Sequence, residues 1–146
     1  DKKNHFSKIQ IKEFSILFLM LNYPNVASKK IEEISDIIFL SEKNESLKTL
    51  IIQSLLEGSD KDTVRLRINT DYKKLIEEIK ENSSIQIILK AKNDETILEL
   101  LGELLVEIKE LSNLKRIESL EKELINNLDE NSYSELIKLK NQLNRE

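Results

Sequence analysis

From Asp94 to the end of the chain there is no proline and only one glycine, Gly102. Nothing in that stretch forces a helix to stop. Ile97, Leu101, Leu104, Ile108 and Leu111 recur at intervals of four, three, four and three, the spacing of one helical face. Leu114, Ile117, Leu120, Leu124 and Leu128 continue the stripe with a small drift. A single helix over 94–128 would be about 50 Å long at 1.5 Å per residue. That exceeds the width of a small domain, so part of it is expected to leave the body. The expected break lies at 111–113, because Ser112 and Asn113 are weak helix formers with cap-like side chains.

The last part of the chain reads as a second helix laid back on the first. Residues 129–131 form a polar turn, and Ser132-Tyr133-Ser134-Glu135 has the pattern of a capping box. Leu136, Leu139 and Leu143 then share one face. A short link between two helices of similar length makes them antiparallel, so 114–128 and 132–145 are expected to form a hairpin. This hairpin has more apolar residues than its seam needs: Ile125 stands beside Leu124, and Ile137 beside Leu136. The surplus points to a second covered surface, made by the rest of the domain or by a partner helix. Tyr133 reads equally as an interface anchor and as a residue that closes the turn.

Upstream, the chain reads as a helical bundle. A helix is expected over 9–22, with Ile9, Phe14, Leu17, Phe18 and Leu21 on one broad face, ended by Pro24. A short helix follows over about 26–35, and then a brief apolar link at 36–40. Ser41 is a plausible N-cap for a helix to Glu57, and Gly58 suits the left-handed position that closes such a helix. Residues 60–69 fit either a strand (Val64, Leu66, Ile68) or a helix capped by Asp60. Another helix runs to about Glu81. Residues 84–89 again look strand-like, which leaves a small βαβ unit as an alternative. The favoured architecture is all-α: an N-terminal helical bundle followed by a long helix and a C-terminal antiparallel helical hairpin, divided into a bundle subdomain over 1–111 and a hairpin subdomain over 112–146.

Composition supports this reading and narrows the function. The chain holds two glycines, one proline and 5% aromatics in 146 residues, too few turn formers for an all-β domain. Apolar residues at 39% allow a real core. With 23 basic and 27 acidic residues interspersed, the net charge of −4 lacks the basic patch of a nucleic-acid binder. There is no cysteine, hence no disulfide, zinc ribbon or thiol nucleophile. The most apolar run, 16–21, is far shorter than the roughly 20 residues that span a bilayer, and no signal-peptide pattern appears. The chain begins at Asp1, which reads as a piece of a longer protein.

Signals of catalysis are sparse. His5 is the sole histidine and has no partner motif around it. Gly58 and Gly102 are isolated, so no phosphate loop exists; Gly102 is expected to permit close helix packing. The paired carboxylates Glu77 and Glu78, and Glu121 and Glu123, read as solvated helix faces. No catalytic residue, cofactor or metal site is expected.

Several stretches resemble one family. Leu114-Lys-Arg-Ile-Glu-Ser-Leu-Glu-Lys-Glu-Leu124, Leu128-Asp-Glu-Asn-Ser-Tyr-Ser-Glu-Leu136 and Leu139-Lys-Asn-Gln-Leu143 are similar to the closing hairpin of the C-terminal helicase-binding domain of bacterial DnaG-type primases, in its alphaproteobacterial version. Glu13-Phe-Ser-Ile-Leu-Phe-Leu-Met-Leu-Asn-Tyr-Pro24 resembles that family's opening helix. The resemblance covers nearly the whole chain and matches 83–93 least. It implies a helical bundle with a closing hairpin and no catalytic activity of its own. It further implies docking onto the N-terminal domains of the hexameric replicative helicase DnaB in the bacterial cytoplasm, with modulation of the helicase. The zinc-binding and RNA-polymerising parts of such a primase lie upstream. The contact residues expected here are Ile125, Tyr133, Ile137, Lys140, Asn141 and Arg145, with a monomer in the absence of helicase and no direct contact with nucleic acid or membrane. The competing expectation is a helical adaptor or coiled-coil scaffold that self-associates through the 97–128 stripe.

Overall fold

The structure is a computed structural model; it describes residues 6–68, 71–83, 93–126 and 130–144. Every regular element among the described residues is a helix: α1 (Lys8–Asn22), α2 (Pro24–Ser28), α3 (Ile31–Asp36), α4 (Glu42–Leu56), α5 (Lys61–Ile68), α6 (Lys73–Asn82), α7 (Asp94–Asn126) and α8 (Glu130–Asn144). The protein is all-α. The chain divides into two compact units, Asp1–Val106 and Glu107–Glu146, and the boundary falls inside α7.

In the first unit α1 is the central helix. It starts with a capping box in which Ser7 Oγ accepts from the Gln10 amide and Gln10 Oε1 accepts from the Ser7 amide. Its apolar spacing predicts one broad buried face. Instead every residue from Glu13 to Leu21 is buried, because α2, α4, α5 and α6 all pack around this helix. Pro24 ends the segment and opens α2 at its first position, where a missing N–H costs nothing. The expected single helix over 26–35 is two short ones, α2 and α3, with a turn at residues 29 and 30.

Between α3 and α4 the chain is extended. Ile37 and Phe39 point inward, whereas Ile38 and Leu40 are exposed, the period-two alternation of extended backbone. Such a strap cannot satisfy its own buried polar groups; side chains from two helices do so. Glu13, fully buried on α1, accepts from the Leu40 amide at 2.6 Å and from Asn44 Nδ2 at 2.8 Å. Glu45 accepts from the Phe39 amide at 2.8 Å. Lys48, also buried, donates to the carbonyls of Ile34 and Ile37, pairs with Glu45 at 3.0 Å and lies over the Phe39 ring. Burial raises the Glu13 carboxyl above its ordinary range, against the lowering effect of Asn44 and the Leu40 and Ser41 amides.

The helix ends follow local chemistry. Ser41 Oγ accepts from the Asn44 amide and caps α4. At the other end Gly58 adopts φ +78°; its N–H reaches Leu55 O, and the Ser59 N–H reaches Ser54 O. This is the Schellman closure, which a left-handed glycine permits. Residues 61–68 are helical, with Asp60 accepting from the Thr63 amide, so the strand reading of that segment is overturned. The cap hydrogen bond to Asp60 and the burial of Val64 and Ile68 on one face favour the helix. The other strand-like stretch, 84–89, lies outside the described residues.

Asn93 caps α7 by accepting from the Thr96 amide. The expected break at 111–113 does not occur: Leu111, Ser112 and Asn113 are helical. Weak propensity at two positions, well under 1 kcal/mol each, does not interrupt a helix whose Ile108 and Ile117 are both buried. Gly102 also differs from expectation, since a Cβ placed there would meet none of the described residues within 4 Å. It is not a packing contact.

Candidate functional site

The second unit is a helical hairpin made by the C-terminal part of α7 and by α8. Ile117, Leu120 and Leu136 form its buried core, with Leu124, Leu139 and Leu143 packed against them. Near the turn, Ser132 Oγ donates to Glu123 Oε2. Two ion pairs cross the hairpin. Arg116 binds Glu135, with Nε to Oε2 at 2.6 Å and Nη2 to Oε1 at 3.1 Å. Lys140 binds Glu121 at 3.1 Å.

These two pairs identify the two flanks of the seam. Arg116 and Glu121 are five residues apart, about 140° around the helix axis; so are Glu135 and Lys140. One pair therefore lies on each side of the leucine seam. On the Arg116–Glu135 side, the described positions three, four or seven residues away that lie outside the leucine seam are Lys109, Ser112, Asn113, Ser119 and Glu123 on α7, and Asn131, Ser132, Lys138 and Gln142 on α8. All are polar. On the Glu121–Lys140 side, the corresponding positions include Leu114 and Ile125 on α7, and Tyr133 and Ile137 on α8. All four are open to solvent: Leu114 at 47%, Ile125 at 83%, Tyr133 at 57% and Ile137 at 40%. The hairpin is thus two-sided, with one polar flank and one flank that carries these four exposed apolar residues beside Glu118, Glu121 and Lys140.

Of the residues singled out in the sequence, the structure brings Ile125, Tyr133, Ile137 and Lys140 onto this one flank. Asn141 is exposed at its edge, next to Lys140. Arg145 lies outside the described residues, as do His5 and Leu128. Leu114 was missed: its place in the apolar periodicity made it read as seam, although the stripe's drift carries it off the buried face. Glu121 was missed as the partner of Lys140.

The capping box expected at Ser132–Glu135 does not form. The helix already begins at Glu130, so Ser132 lies inside its first turn. Both residues of the box are used across the hairpin, Ser132 toward Glu123 and Glu135 toward Arg116. The Arg116 guanidinium holds the Glu135 carboxyl below the usual carboxylate range, and the arginine is raised in turn.

Among the described residues no group of three His, Cys, Asp or Glu side chains could hold a metal ion. No helix there is long and apolar enough to cross a membrane. Glu13, Asn44 and Lys48, with the half-buried Glu45, pin the 37–41 strap, which is a structural task; of this cluster Asn44 Oδ1 alone is left buried without a partner among the described residues. No protein-family model matches the chain, and neither the curated proteins nor the solved structures contain a significant match.

Proposed function

We propose that this chain is a protein-docking domain without catalytic chemistry of its own, and that it docks through the apolar flank of its hairpin. The observation that supports this is the gathering of Leu114, Ile125, Tyr133 and Ile137 on one side of a two-helix unit. Exposed aliphatic and aromatic side chains beside charged ones are the composition of a protein interface. The opposite flank, made of the same two helices, carries none.

The partner comes from the family resemblance of the sequence. On that reading the domain belongs to a bacterial DnaG-type primase and works in the cytoplasm at the replication fork. Its hairpin docks on the N-terminal domains of the hexameric helicase DnaB and modulates the helicase. Calorimetric titration with the helicase N-terminal domain tests this. Tyr133→Ala combined with Ile137→Asp is expected to weaken binding at least about tenfold, since a buried aromatic anchor is worth 2 kcal/mol or more. Ser119→Asp on the polar flank is the control. Absence of binding by the unaltered chain refutes the partner; equal binding by both variants refutes the face.

Self-association through the 97–128 stripe has less to work with. Of that stripe Ile97, Leu101, Ile108, Ile117 and Leu120 are buried within the chain itself, Leu104, Leu111 and Leu124 are half-buried, and only Leu114 among the described residues is exposed. Sedimentation is expected to show a monomer without helicase; a stable dimer would favour the scaffold reading.

A further inference from the structure

Within the first unit, α1, α5 and α6 enclose a cavity of about 240 Å³ lined by Phe18, Leu21, Asn22, Arg65, Ile76, Ile79 and Lys80. Its floor is apolar: Phe18, Leu21 and Ile79 are buried core residues and Ile76 is half-buried. Its polar groups are one amide and two cations. We propose that this cavity is a binding site for a small amphipathic carboxylate, with the apolar body against Phe18, Ile76 and Ile79 and the carboxylate on Arg65 and Lys80. The site is independent of the hairpin.

The state of Arg65 carries the argument. Three arginines fall among the described residues. Arg67 grips Glu57 and Arg116 grips Glu135. Arg65 has no carboxylate among the described residues. Its Nη2 donates to Asn22 Oδ1 at 2.5 Å, and Asn22 is itself held by its Nδ2 on Phe18 O at 2.9 Å. The guanidinium is oriented by a neutral amide that leaves most of its five N–H donors unused. Lys80 likewise has no ion pair among the described residues, in a chain with more acidic than basic residues.

Helix dipoles account for part of this charge. Arg65 stands at the C-terminal end of α1 through Asn22, and Lys80 lies in the last turn of α6. Each such end carries about −0.5 of an elementary charge. Arg65 also lies in the last turn of α5, so three ends offset at most about 1.5 of the two positive charges, and the cavity keeps a net positive charge of about 0.5. That sign suits a single carboxylate, which a guanidinium fork holds well. The volume lies below the roughly 300–1,000 Å³ of drug-sized pockets. It therefore takes one ring or branched group rather than a polycyclic ligand.

The test is an amide NMR titration of the whole chain with 3-phenylpropionate, using 3-phenylpropionamide as the uncharged isostere. Saturable shifts confined to Asn22, Arg65 and residues 76–80 are expected with the acid, and about tenfold weaker binding with the amide. Arg65→Gln and Lys80→Gln are each expected to weaken the acid about tenfold. Both side chains are exposed, and the spectrum itself reports whether each variant folds. Should Arg65→Gln perturb the fold, Arg65→Lys keeps the charge and removes the fork, and is expected to fall between the two. Equal affinity for acid and amide overturns the proposal, as do shifts scattered over the surface, no shifts at all, or unchanged affinity in both glutamine variants.

Discussion

The Arg116 guanidinium meets the Glu135 carboxylate edge to edge, two nitrogens on two oxygens, across the outer side of a leucine seam. The pair is exposed, so it sets geometry more than stability. Its pH dependence has a definite sign. Glu135 is held below its ordinary value of 4.5. Its contribution is complete above 4.5 and is lost as pH falls through the depressed folded value. Thermal melts of the wild type and Arg116→Gln are expected to converge in acid and in 1 M salt, and to differ slightly at neutral pH and low salt. A difference that persists in 1 M salt would assign Arg116 a packing role instead.

Glu13 has the opposite sign. Its folded value is raised above 4.5 by burial, so the native state binds its proton more tightly than the unfolded chain does. Its favourable contribution is present below 4.5 and is lost as pH rises through the folded value. Urea titrations from pH 4.5 upward are expected to show a falling component of stability in the wild type that Glu13→Gln lacks. Glu13→Ala leaves the Leu40 amide and Asn44 Nδ2 without their acceptor, and is expected to cost about 3 kcal/mol.

The two glycines are expected to respond to alanine in opposite directions. At Gly58 the φ of +78° is strained for any side chain, and Gly58→Ala should destabilise by about 1 kcal/mol. At Gly102 a methyl group meets none of the described residues within 4 Å inside a continuous helix. Gly102→Ala should stabilise by about 1 kcal/mol. Denaturant midpoints measure both, and a loss of stability at Gly102 would mean that the helix surface there is covered.

On the apolar flank, Ile125→Lys should change stability by no more than about 0.5 kcal/mol, because its side chain is 83% exposed. Leu120→Ala, one and a half turns earlier in the same helix, should cost about 3 kcal/mol, because Leu120 is buried in the seam. Circular-dichroism melts of the two variants check the division between face and core.

Where a residue's environment followed from its neighbours in sequence, the sequence was readable. Ser41, Asp60 and Gly58 act within three to five residues of themselves, and their roles as caps were visible. The surplus isoleucines of the hairpin were visible too, because a seam of leucines at helical spacing shows which positions it does not need. Glu13 was not readable. A glutamate in a helix reads as solvent-facing, and what makes it otherwise stands 27 and 31 positions later, at Leu40 and Asn44. The capping box at Ser132 failed for a related reason, since its two side chains had better partners across the hairpin than along it.

The same distance along the chain has a consequence for how the first unit forms. Glu13 cannot reach its hydrogen-bond donors until α1, the strap and the start of α4 have come together. Before that moment the carboxylate is better off in water, so a collapsed α1 without its strap is an unfavourable species. Assembly of these three segments is thereby coupled into one cooperative step. A chain interrupted between α3 and α4 would then lose the whole unit rather than a single loop.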